Sequence, residues 1–263
     1  MKFLAFLKDA FLVLKSNPKL FVPNILMGIY DGFLQLMVAG LAIASVRIRS
    51  LGPEEMLASA EISPLLSQLL LAFVFVVAGF FLNVLVWGMY PAMVKDYFSG
   101  RKISFSSALK VARERFLLVS ASVIVSLLVP GAILYILISG LFSLYGSALF
   151  WPLLAVTLAV CFAAFFLFYL PFSAAVLGKK SLHSVFSESF SLTRRNPWAI
   201  SKASAIPFAF SMLDFGLAFL AENAAFLAAF WALKLVLSVV VTYSYVLNPT
   251  IYMGLKGELG EMK

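Results

Sequence analysis

The chain reads as an all-α, polytopic membrane protein: six transmembrane helices, built as three repeats of an amphipathic helix followed by a helical hairpin, with both termini cytoplasmic. Three observations lead there. The 263 residues are 63% hydrophobic and only 12% charged, with a mean hydropathy of +1.02, whereas a soluble domain is about half apolar and about a quarter charged. Six apolar runs reach the roughly 20 residues that a membrane-crossing helix needs, at about residues 20–46, 65–94, 116–140, 149–177, 198–221 and 224–253. A short basic amphipathic stretch precedes each pair of runs, at residues 3–14, 104–116 and 182–195.

The first run is expected to be a retained span. Lys8, Asp9, Lys15 and Lys19 interrupt the region before it, and the run is much longer than the apolar core of a secretory signal. Asn17-Pro18 and Asn196-Pro197 mark the turns from surface helix into membrane, with asparagine placed to cap and proline in the first helical turn. Ser63-Pro64 does the same from the outer side, and Pro53-Glu54-Glu55 starts a short external helix. Pro130-Gly131 and Pro207 predict kinks in the third and fifth spans. The single cysteine, Cys161, falls inside the fourth run and is expected to pack as a small apolar residue.

The surface helices follow from helical spacing. Gly100 ends the second span, and Ser104 caps a helix with Phe105, Ala108, Leu109, Ala112 and Phe116 on one face. Ser106, Ser107, Lys110, Arg113 and Glu114 fall elsewhere on it. The third stretch sets Leu182, Phe186 and Phe190 against Ser187, Glu188, Arg194 and Arg195. Such helices lie in the membrane interface with basic side chains toward anionic headgroups, so Lys110, Arg113, Arg115, Arg194 and Arg195 are the expected lipid-headgroup contacts.

Charge gives the orientation. Seventeen of the twenty lysines and arginines fall on one side: four before span one, six between spans two and three, five after span four, and Lys256 and Lys263 at the end. The other side carries Arg47 and Arg49, offset by Glu54, Glu55 and Glu61. The positive-inside rule then makes the chain a multi-pass cell-membrane protein with cytoplasmic termini. The net charge of +8 is thus a membrane-surface signal. No nucleic-acid partner is expected, because no binding module surrounds the charges.

Phe105 and Phe186 superimpose with an offset of 81 residues, matching Leu109 with Phe190 and Arg113 with Arg194. Leu7, Phe11 and Lys15 take the same positions in the N-terminal copy, and Pro91, Pro171 and Pro249 recur near the ends of the even spans. The single domain 1–263 is therefore read as repeats at about 1–98, 99–179 and 180–263. Internal repetition that closes the bundle favours a monomer.

Polar residues inside the spans are the candidate site. Span one carries Asn24, Asp31 and Gln35 on one stripe, with Gly28-x-x-x-Gly32 as a close-packing face beside it. Span two adds Asn83, Trp87 and Tyr90; span five adds Ser204, Pro207, Ser211 and Asp214; span six adds Lys234, Ser238, Tyr245 and Asn248. Asp214 and Lys234 stand at similar distances from the turn near Glu222-Asn223, which predicts an ion pair. Asp31 either shares Lys234 or stands protonated. Ionisable groups at this depth face protein or water. They either glue helices together, line a cavity for a solute or headgroup, or, as a third option, serve catalysis. The candidate polar site is thus Asn24, Asp31, Gln35, Asn83, Asp214, Lys234 and Ser238.

No catalytic set stands out. The one histidine, His183, lies on the polar side of a surface helix, and no cluster offers metal-ligand spacing. Phosphate-loop and nucleophile-elbow motifs are missing. No metal and no cofactor are expected.

The segment from Tyr169-Leu170-Pro171 to Arg194-Arg195-Asn196-Pro197-Trp198 joins a span-ending proline, a serine-rich amphipathic helix and a basic-Asn-aromatic opening. It resembles six-span prokaryotic membrane proteins of unknown function grouped with the membrane domain of glycerophosphoryl diester phosphodiesterases. The resemblance implies the three-unit fold along the whole chain. The soluble phosphodiesterase domain has no counterpart here, so neither that activity nor any catalytic residue carries over.

These features lead to a non-enzymatic membrane protein that binds or transports a lipid or small solute through a polar intramembrane cavity. The first alternative is a structural or assembly protein acting through its basic interfacial helices, with membrane lipids as partners and any protein partner open. The second is an intramembrane lipid-modifying enzyme.

Overall fold

The computed structural model describes residues 3–49, 62–178, 181–221 and 224–261. These are almost wholly helical, and no strand occurs among them. In chain order the helices are α1 (Phe3–Ser16), α2 (Phe21–Arg49), α3 (Ile62–Phe98), α4 (Phe105–Glu114), α5 (Phe116–Ser143), α6 (Phe150–Leu167), α7 (Pro171–Leu177), α8 (Leu182–Arg195), α9 (Pro197–Ala221), α10 (Leu227–Leu255) and α11 (Glu258–Glu261). Single 3₁₀ turns cover Pro18–Leu20 and Ala224–Phe226. The external helix expected at 53–55 and the outer turn at 222–223 lie outside the described residues.

Among the described residues, five segments are long and apolar enough to cross a membrane: Pro18–Leu41, Leu66–Phe98, Phe116–Leu141, Phe150–Leu177 and Leu227–Leu255. Their outer faces leave Leu70, Phe73, Leu128, Ile136 and Val236 open, as surfaces bathed in hydrocarbon rather than water do. The sixth expected crossing is α9, an unbroken helix of 25 residues. It is not among those five; Lys202 and Asp214 lie along it.

The short amphipathic helices form where periodicity places them. Ser104 Oγ accepts from the Ser107 N–H at 3.5 Å and Ser181 Oγ from that of Ser184 at 3.3 Å, covering free donors at the starts of α4 and α8. Gly100, at φ 68°, ends α3 in the left-handed conformation that glycine adopts freely. The asparagine turns work differently from expectation. Asn196 opens α9 with its backbone carbonyl, which accepts from the Ile200 N–H at 3.2 Å, but its side chain serves α8: the amide donates to the Leu192 carbonyl at 3.2 Å. Asn17 donates likewise to Val13. Each is a C-terminal cap, while Pro197 does take the first position of α9.

The chain divides into two compact units. The first comprises Met1–Pro18, Val84–Ala209 and Tyr243–Lys263; the second comprises Lys19–Asn83 and Phe210–Thr242. The first draws on all three sequence repeats and the second on the first and third. Within the first unit, Pro91, Pro171 and Pro249 are all buried, amid a core of Tyr90, Met93, Leu170, Ile200, Leu247, Ile251 and Tyr252.

The three amphipathic helices also belong to the first unit. α1 buries Phe6 and Leu14 with Ala10 and Val13, but the packed faces of the other two are not the bulky ones. In α4 the buried residues are Ala108 and Ala112, while Leu109 stays exposed. In α8 they are Val185, Ser189 and Thr193, while Phe190 stays exposed. Small side chains permit close approach: a Cβ on Gly88 would stand 3.0 Å from that of Ala112. Lipid is as apolar as leucine, so a bulky residue gains little by turning inward, and fit decides the face.

Candidate functional site

All seven intramembrane candidates fall in the second unit. Helix α2 supplies Asn24, Asp31 and Gln35 from one stripe, and α10 supplies Lys234 and Ser238. Asn83 comes from α3 and Asp214 from α9.

Glycines bring α2 against α10. A Cβ on Gly28 would stand 1.7 Å from Ser238 Oγ, and one on Gly32 would stand 2.6 Å from the Trp231 ring. This approach lets Asn24 Nδ2 donate to the Ser238 carbonyl at 2.6 Å and to Thr242 Oγ1 at 3.1 Å. Ser238 Oγ donates to the Lys234 carbonyl and Thr242 Oγ1 to that of Ser238, each at 2.8 Å. Asn24, Ser238 and Thr242 are buried, and these bonds satisfy them where no water competes.

The charged part lies further along. Lys234 Nζ stands 2.6 Å from Asp214 Oδ1, with the lysine side chain 5% exposed and the aspartate 35%. Gln35 Nε2 donates to Asp214 Oδ2 at 3.0 Å. Both carboxylate oxygens of Asp214 therefore hold a donor. Gln35 Oε1 is buried and accepts no hydrogen bond among the described residues. Asp31 has Lys234, Asn83 and Asp214 as its polar neighbours, and Asn83 Nδ2 also donates to the Gly79 carbonyl at 3.1 Å. The direct pair with Lys234 belongs to Asp214, and Asp31 feels the lysine through its field.

The stripe read along span six divides between the units. Lys234 and Ser238 belong to the second. Tyr245 and Asn248 belong to the first, where the Tyr245 ring lies 5.4 Å from that of Tyr90 and 6.0 Å from that of Trp87. Asn248 accepts from Ser173 Oγ and donates to the Tyr169 carbonyl. Lys110, Arg113, Arg115, Arg194 and Arg195 also lie in the first unit, and all but the half-buried Arg115 are exposed.

Three participants escaped the sequence reading. Thr242 continues the four-residue spacing of Lys234 and Ser238, and that spacing is the signal that could have found it. Trp231, which fills the notch at Gly32, carries no local signal. The third is a set in the first unit: the Tyr252 hydroxyl donates to Glu188 at 2.6 Å, and Lys256 bridges Glu188 and Glu258 at 3.2 Å each.

Chemically, the second-unit site offers two carboxylates, one ammonium, several amides and hydroxyls, and a buried acceptor. It can bind a polar group and hold charge in an apolar setting. No group of three metal-ligating side chains occurs among the described residues. No family model matches the chain, and neither a curated protein nor a solved structure matches it.

Proposed function

We infer that the protein is a six-span membrane protein of the cell membrane, with cytoplasmic termini, that binds a small polar solute or lipid headgroup at the second-unit network and carries it across. The observation that carries this reading is Lys234 paired with Asp214 and Gln35, with Asp31 close by, inside helices otherwise clothed in hydrocarbon-facing side chains. A pair that served only to join helices would need no third charge, and charged groups at this depth are costly enough to be kept for a task.

The sixth span in this reading is α9, whose polar residues include Asp214 itself. Threefold repetition draws support from the amphipathic helices: Ala10, Ala108 and Ser189 occupy equivalent positions and are all fully buried, whereas Phe11, Leu109 and Phe190 are equivalent and all exposed. The likeness to membrane domains of glycerophosphoryl diester phosphodiesterases belongs to the same reading.

The test is flux in sealed liposomes holding a pH-sensitive dye, driven by a potassium diffusion potential. Wild type is expected to pass protons or protonated solute faster than Asp31→Asn and Lys234→Met. Identical leak in all three would overturn the transport reading.

A further inference from the structure

The last turn of α8 carries two arginines, Arg194 and Arg195. Arg194 and Arg195 are exposed, and neither forms a salt bridge among the described residues. The one carboxylate of this helix, Glu188, is engaged by Lys256 at 3.2 Å and by the Tyr252 hydroxyl at 2.6 Å. Nor do the arginines close the helix end. Asn196 does that, through its backbone N–H to the Leu192 and Thr193 carbonyls and its side-chain amide to Leu192. The other face of α8 is sealed by buried Val185, Ser189 and Thr193. Phe190, Ser191, Arg194 and Arg195 together form one open, shallow surface along the end of this helix. Phe190 is 41% exposed, and Trp198, at the start of α9, is 81% exposed.

We propose that this exposed face holds the headgroup phosphate of an anionic phospholipid. Guanidinium forks match phosphate oxygens in paired hydrogen bonds, and the Ser191 hydroxyl is placed to donate a further one. Phe190 and Trp198 supply rings of the kind that settle at the headgroup level of a bilayer. The choice of occupant rests on the pairing of features. Two positive charges without an ion-pair partner among the described residues call for an anion, and the exposed rings of Phe190 on the same surface and of Trp198, three residues further along the chain, call for hydrocarbon. A phospholipid brings both in one molecule; free phosphate brings only the first. This site lies in the first unit and stands independently of the transport reading.

The test uses the full chain in neutral detergent, with lipid retention counted by native mass spectrometry as phosphatidylglycerol or phosphatidylcholine is added. Wild type is expected to retain phosphatidylglycerol preferentially. Arg194→Gln/Arg195→Gln should weaken that retention roughly thirtyfold, as the loss of two interfacial charges implies, and leave phosphatidylcholine unchanged. Arg194→Lys/Arg195→Lys should fall in between. Three results would overturn the proposal: full retention in the glutamine variant, an equal loss from Arg113→Gln/Arg115→Gln on α4, or displacement of the lipid by soluble glycerol phosphate. A second readout needs no arginine variant. Phosphatidylglycerol with brominated acyl chains should quench the Trp198 component of fluorescence, defined by difference from Trp198→Phe, more than brominated phosphatidylcholine does. Equal quenching would also overturn it.

Discussion

Lys234 Nζ stands 2.6 Å from Asp214 Oδ1, yet the lysine is 5% exposed and the aspartate 35%. The lysine is closed in while its partner is partly open. Removing the lysine leaves Asp214 with Gln35 as its remaining donor. Lys234→Met should therefore cost about 2 kcal/mol, less than a fully buried pair because Asp214 is one-third open. The measurement is the thermal midpoint in detergent. Lys234→Met/Asp214→Leu should recover most of the loss, since no charge is then stranded. A single variant as stable as wild type would show that the pair adds nothing.

Gly28 of α2 lies against Ser238 of α10 with no room for a side chain. Alanine there would place its Cβ 1.7 Å from Ser238 Oγ, so the helices must part. Gly28→Ala is expected to destabilise by about 1–3 kcal/mol, the usual cost of overfilling a packed interface. Gly28→Ala/Ser238→Ala should regain part of it, because the nearest obstructing atom is gone. Thermal unfolding of both variants decides this, and additive losses would contradict it.

Asn248 ties α10 to the segment around α7 by accepting from Ser173 and donating to the Tyr169 carbonyl. All three groups are cut off from water, so Asn248→Leu strands two partners. The expected loss is about 2 kcal/mol, read as a lower thermal midpoint. Ser173→Ala strands fewer groups and should cost less; the reverse order would refute the assignment.

Lys256 responds to alkali. Burial disfavours its ammonium, but hydrogen bonds to Glu188 and Glu258 and the charges of both outweigh that and hold its pKa above the ordinary 10.5. A raised lysine stabilises the fold fully below its unfolded pKa, and the contribution fades as pH climbs through the higher folded value. Wild type should therefore exceed Lys256→Met in thermal midpoint at neutral pH, with the gap closing above about pH 10.5. A gap that stays constant with pH would mean that the lysine contributes through its alkyl chain alone.

Much of the site was legible because helical spacing is a local property. Asn24, Asp31 and Gln35 share a stripe whatever surrounds them. Asp214 and Lys234 stand level because a short turn must bring consecutive helices back side by side. Thr242 was missed only because its hydroxyl is unremarkable in composition. The face that α8 turns inward was not legible: hydrophobicity pointed to Leu182, Phe186 and Phe190, while Val185, Ser189 and Thr193 are the buried ones. The Asn196 side chain could have served either neighbouring helix, and only the folded geometry shows that it closes α8.

What the sequence alone determined is the set of long apolar helices and the short basic ones beside them. Hydrocarbon admits only segments that satisfy their own backbone bonds and present apolar side chains along enough length, and both conditions are written locally. What only the tertiary structure decided is which polar groups meet: Gln35 with Asp214, Asn24 with the Ser238 carbonyl, Trp231 against Gly32, and Glu188 drawn to Lys256 and away from its own arginines. Between helices in lipid the hydrophobic effect has little to choose, so shape and hydrogen bonding choose instead, and both depend on residues far apart in the chain.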